Sequence, residues 1–136
     1  MSEHLEPMNL QTPLGRVRGL GSAKGGTHHW WMQRVTSMAL LPLTIWLAFG
    51  VAGHAGDPWP VVAAWIGHPF NATLLILWIA IGFQHTASGF QVIIEDYIRP
   101  ESAALLASLA IKGLCALLGL LSIISVLRLA VARFAA

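Results

Sequence analysis

The chain has 136 residues, 56% of them hydrophobic and only 10% charged, with a formal net charge of +2. A soluble domain carries about 25% charged residues, so this deficit excludes an ordinary water-soluble domain and points to an integral membrane protein. The single cysteine, Cys115, rules out an intrachain disulfide and a cysteine-built metal site, and the early basic residues are too interspersed with glycine to form a patch for nucleic acid.

Residues 1–28 are polar, carry Glu3 and Glu6, and contain no apolar stretch of the kind a signal peptide uses. A transit peptide should also be poor in acids. These residues are expected to form a cytoplasmic arm ahead of a membrane domain at 29–136. The first span is predicted over about residues 30–53, because no charge falls between Arg34 and Asp57. Pro42 lies inside it, where neighbouring groups in a membrane protein satisfy the freed carbonyl. Asp57-Pro58-Trp59-Pro60 reads as the start of a short interfacial helix, with tryptophans suited to the headgroup region. A second span is predicted over about 70–97, after His68-Pro69 and with Asn71 as its cap. A third runs over about 101–130, where Pro100 and Glu101 suit a first helical turn. Each is long enough for a bilayer, which needs about 20 apolar residues. The predicted fold is therefore an all-α membrane protein of three transmembrane helices and a short interfacial helix.

Three spans leave the N-terminus and the second loop on one side. That side holds Arg16, Arg18, Lys24, Arg34 and Arg99, against Arg128 and Arg133 on the other. Positive residues favour the cytoplasmic face, so the N-terminus and Tyr97 are assigned there.

The chemistry concentrates on the second span. His85 stands in a charge-free apolar run, and Asp96-Tyr97 follow where the charges return. An ionisable ring at that depth is costly and marks a functional site by default. Eleven residues make about three helical turns, so His85 and Asp96 share a face, and His85 lies roughly 18 Å below Tyr97. Trp78, Gly82, Ser88 and Gly89 neighbour His85 on the helical wheel, and small residues allow a second helix or a flat cofactor to approach. Two readings stand: a haem iron ligand, or a histidine that only hydrogen-bonds a neighbouring helix. No second histidine lies deep in another span, so a six-coordinate haem needs a ligand from another chain. Tyr97 is either an interfacial anchor or a hydrogen-bond donor to the carbonyl of a lipid-soluble ligand, with Asp96 orienting a partner or feeding protons. In His28-His29-Trp30-Trp31-Met32-Gln33-Arg34, Arg34 either snorkels in an aromatic belt or joins His28 in neutralising an acidic group such as a haem propionate. Lys112, eleven residues into the third span, either snorkels or marks a protruding helix.

The run His85-Thr86-Ala87-Ser88-Gly89-Phe90-Gln91-Val92, continued by Asp96-Tyr97-Ile98-Arg99-Pro100, resembles the hydrophobic membrane anchor (D) subunit of bacterial succinate dehydrogenase. Gly26-Thr27-His28 and Arg34-Val35-Thr36 resemble the same family's lead into its first helix, and the three-span layout is similar throughout. The chain departs from that pattern at Trp30, Trp31 and Lys112. The resemblance implies a helical anchor packed with a companion cytochrome b (C) subunit in the bacterial inner membrane. Under it His85 is one axial ligand of haem b, the companion supplies the other, and Arg34 and His28 lie near the propionates. Tyr97 hydrogen-bonds ubiquinone with Asp96 beside the pocket, and iron–sulfur and flavoprotein subunits dock on the cytoplasmic side.

The expected function is thus a non-catalytic anchor subunit of succinate:ubiquinone oxidoreductase (respiratory complex II). The chain has no flavin fingerprint and no cysteine cluster, so it does not oxidise succinate alone. The rival is a haem-free structural tether for a soluble oxidoreductase, which has no use for His85. A transporter component would spread polar residues along several spans, whereas here they gather on one helix and at the cytoplasmic ends.

Overall fold

The computed structural model describes Thr12, Leu14 and residues 26–134. The rest of the expected cytoplasmic arm, with Arg16, Arg18 and Lys24, lies outside the described residues. Four helices follow in order: α1 (Gly26–Gly53), α2 (Trp59–Ile66), α3 (Pro69–Tyr97) and α4 (Glu101–Phe134). Three of them supply apolar stretches long enough to cross a membrane, at Trp30–Gly53, Pro69–Tyr97 and Glu101–Arg133. The chain is an all-α, multi-pass membrane protein. Helices are the form such segments take because every backbone N–H and C=O must find its partner within the segment.

The helix ends follow local chemistry. Pro58 caps α2, with Pro60 in its first turn, where a missing N–H costs nothing. His68 caps α3 and Pro69 opens it. Asn71 is not the cap; it lies in the first turn of α3, and its Nδ2 donates to the Trp65 carbonyl at 2.8 Å, satisfying the C-terminal end of α2 instead. Pro42 sits within an α1 that continues unbroken to Gly53.

The middle span, α3, is the hub. Both α1 and α4 pack along it, while among the described residues no Cα of α1 comes within 8 Å of one in α4. The buried apolar cluster joins Ala72, Leu75 and Ile79 of α3 to Val126 and Ala130 of α4, at the end nearest α2. There Trp65 stacks on Trp46 at 5.7 Å between ring centroids, and His54 lies 5.0 Å from the same indole. Arg133 donates to the Ala64 carbonyl and ties the end of α4 to α2. Large apolar side chains such as Met38, Phe49 and Leu106 remain exposed along the outer faces, which suits lipid or neighbouring subunits rather than water.

Gly67, at the α2–α3 turn, has an ordinary right-handed φ of −72°, so its backbone angle does not demand glycine. Proximity does: an added Cβ would lie 2.7 Å from the Leu129 carbonyl oxygen, which is backbone and cannot swing aside. Gly67→Ala is expected to destabilise the packed end by about 1–3 kcal/mol, the usual cost of overpacking. Gly53→Ala, where nothing lies within 4 Å, is the control. A lower Tm in detergent for the first variant alone checks this; equal Tm values would refute it.

Candidate functional site

The face of α3 that carries His85 is turned to α1. Three contacts set the register of this antiparallel pair. Trp78 Nε1 donates to Thr44 Oγ1 at 3.0 Å, a Cβ on Gly82 would lie 3.9 Å from Leu40, and one on Gly89 would lie 3.6 Å from Gln33 Nε2. Gly82 and Gly89 thus face α1 side chains at ordinary packing distance, one turn below and one turn above the half-buried histidine.

His85 meets α1 through both ring nitrogens. Its Nδ1 lies 2.9 Å from Thr36 Oγ1, and its Nε2 lies 3.4 Å from Gln33 Nε2. The Thr36 hydroxyl donates back to the Met32 carbonyl at 2.8 Å, with the Gln33 carbonyl at 3.1 Å. Thr36 is the one buried polar residue among those described. Gln33 Oε1 is buried without a partner. The Gln33 contact to Nε2 is longer than the 2.7–3.2 Å of a good hydrogen bond, so Nε2 is the loosely held nitrogen and Nδ1 the firmly held one.

Ser88 is not in this group. It lies on the other side of α3, in a cleft of about 590 Å³ between α3 and α4 that Gln84, Gln91 and Lys112 also line. Gln91 donates to Glu95 at 2.8 Å along the same helix. Lys112 is exposed in this cleft.

The other predicted residues stand apart. Tyr97 ends α3 and is 81% exposed, beside an exposed Asp96. Arg34 is exposed, with its guanidinium 5.2 Å from the centre of the Trp30 ring, and Trp30 stacks on Trp31. The α1–α3 register sets Arg34 level with about residue 87, hence roughly 15 Å below Tyr97 and within one turn of His85 in depth. His28, also exposed, falls roughly 12 Å above His85 on the same reckoning. The fold thus gathers Arg34 toward the depth of His85 and leaves Tyr97 and Asp96 together near the end of α3. Among the described residues, no three His, Cys, Asp or Glu side chains converge on one point.

Sequence reasoning passed over Gln33, Thr36 and Thr44 as partners of this face. A signal was present: with Leu40 they recur at steps of three and four, which puts polar groups on one stripe of α1.

A three-span helical bundle with one imidazole held between its first two spans defines the class as a multi-pass membrane protein. Comparison with known proteins makes the class specific. The chain belongs to the succinate dehydrogenase/fumarate reductase transmembrane subunit family, whose model matches residues 8–127. It is 29% identical over 126 residues to the succinate dehydrogenase hydrophobic membrane anchor subunit of Rickettsia bellii, covering 93% of this chain and 95% of that one. The subunit of the same name from Paracoccus denitrificans is 35% identical over 92 residues, 68% of this chain and 71% of its own. That from Rickettsia conorii is 32% identical over 91 residues, 66% and 72% respectively. No solved structure matches the chain.

Proposed function

We propose that this chain is a membrane anchor subunit of a succinate dehydrogenase in a bacterial inner membrane, non-catalytic alone, that supplies one haem b ligand and part of a ubiquinone-reduction site. The observation that carries the haem reading is the pair of distances at His85. A firmly held Nδ1 leaves Nε2 facing a long contact with a side chain of three rotatable bonds, so the nitrogen that would bind iron is released by a Gln33 rotamer change without moving α1. The orphaned Gln33 Oε1 adds to the fit, because that amide gains little where it stands. Haem b, when bound, supplies a one-electron site in the membrane. A companion cytochrome b subunit would provide a second ligand, since among the described residues no other histidine side chain is found against His85. Arg34, at the depth of His85, and His28, nearer the membrane surface, are assigned to the propionates, for which a planar guanidinium fork is suited.

Tyr97 donates a hydrogen bond to a quinone carbonyl, and Asp96 orients that site or passes protons to it. Their place at the end of α3 is the cytoplasmic side by the distribution of Arg and Lys. Iron–sulfur and flavoprotein subunits dock on that side and deliver the electrons of succinate.

One observation favours the rival, a haem-free tether. Both His85 nitrogens have protein neighbours, as expected of a histidine that only joins α1 to α3. The optical spectrum of the co-purified complex separates the two. The anchor reading expects a Soret band and b-type bands whose intensity changes on adding succinate. A complex colourless in the Soret region would leave the tether.

A further inference from the structure

We propose that Thr36 is the positioning residue for His85: it selects the ring tautomer that leaves Nε2 unprotonated, and it fixes the ring plane. This rests on the haem reading above.

The proton count carries it. A hydroxyl has one proton and two lone pairs. Thr36 commits its proton to the carbonyls one turn back, Met32 at 2.8 Å and Gln33 at 3.1 Å. What it turns to His85 Nδ1, 2.9 Å away, is a lone pair. With the hydroxyl proton on those carbonyls, the bond forms with Nδ1 carrying the hydrogen and donating, and this is the tautomer the geometry favours. A neutral imidazole with Nδ1 protonated has a bare Nε2. The far side of the ring agrees, since the atom of Gln33 facing Nε2 is the amide nitrogen, a donor pointing at a lone pair. Burial makes the arrangement rigid. Thr36 is 9% exposed, its branched Cβ restricts χ1, and its back-bond holds the hydroxyl in place. A hydrogen bond from the remote ring nitrogen orients a ligating histidine and raises its basicity, and losing such a partner typically costs 10–100-fold in metal affinity. A more basic ligand favours the ferric state, so removal of the acceptor raises the haem midpoint potential.

The test uses the whole complex, with Thr36→Val as a near-isosteric change that removes the acceptor and Thr36→Ser as one that keeps it. Haem per flavin, the haem midpoint potential and the low-spin ferric resonance signal are recorded. Thr36→Val is expected to lose haem by roughly 10-fold or more, or to keep it with a raised midpoint and a displaced resonance signal, and Thr36→Ser is expected to restore both. A wild-type signature in Thr36→Val would overturn the proposal, and so would equal loss in both variants, which assigns Thr36 to packing. If Thr36→Val fails to assemble, the unaltered reduced complex labelled with 15N-histidine decides. The Nδ1 proton of this chain's iron-bound imidazole is expected in the hydrogen-bonded, slowly exchanging range. An unbonded, rapidly exchanging proton, or ligation through Nδ1, refutes the assignment. Failure of the haem reading itself shows differently, as full haem retention in His85→Ala.

Discussion

Replacing His85 with alanine is expected to remove haem from the purified complex by at least roughly 10-fold while the subunits still assemble. The two parts have separate causes. Within the chain the histidine makes one good hydrogen bond, at 2.9 Å, and one long contact, at 3.4 Å. A net hydrogen bond contributes about 0.5–1.5 kcal/mol, too little for its loss to undo three packed spans. The α1–α3 contact also retains the Trp78–Thr44 bond and the packing at Gly82 and Gly89. The ligand role proposed for it is different, because among the described residues no group of three or more His, Cys, Asp or Glu stands ready to hold a metal in its place. The measurement is the haem-to-flavin ratio together with subunit recovery. Full haem absorbance in His85→Ala would defeat the ligand assignment. Loss of haem together with loss of assembly would show instead that the ring serves chiefly to join the helices.

Changing Tyr97 to phenylalanine is expected to lower quinone reductase turnover by roughly 10–100-fold, leaving haem content and succinate oxidation by a water-soluble dye unchanged. The phenol is 81% exposed and has no hydrogen-bond partner among the described residues, so the fold does not depend on its oxygen. Its effect falls on whatever binds beside it. A quinone carbonyl gains negative charge as it is reduced, and a donor aimed at developing charge can contribute 10²–10³ in rate when it is well buried by its ligand. The lower range expected here reflects the exposed position. Unchanged turnover and unchanged inhibitor affinity would remove Tyr97 from the site. A parallel fall in the dye-linked activity would place the defect in the soluble subunits' docking instead.

The candidate site was legible in part. His85, Asp96 and Tyr97 stand out because an ionisable ring in an apolar run is rare, and because charges return where the span ends. The partners of His85 did not stand out. Ser88 is next to it on a helical wheel yet faces Lys112 across the α3–α4 cleft, while Thr36 and Gln33, some fifty positions earlier, touch the ring. The level of Arg34 relative to His85 was not legible either: the Gln33–Gly89 and Trp78–Thr44 contacts set it within about one turn of the histidine. Asn71 reads as a cap for α3 and instead closes α2. In each case composition is silent about which neighbour is in reach.

What the chain of residues determines alone is the membrane, the helices and the one ionisable ring among the apolar side chains. Hydrocarbon permits no unpaired backbone, and a run of some twenty uncharged residues has few other ways to satisfy it. What only the tertiary structure decides is rotation and register: which stripe of α3 meets α1, and which meets α4. These spans are apolar on nearly every side, and the short polar stripe of α1 at Gln33, Thr36 and Thr44 does not say which helix it meets. The choice comes from packing at Gly82 and Gly89, a tighter approach at Gly119 and a few interhelical hydrogen bonds, which exist only once the helices are side by side.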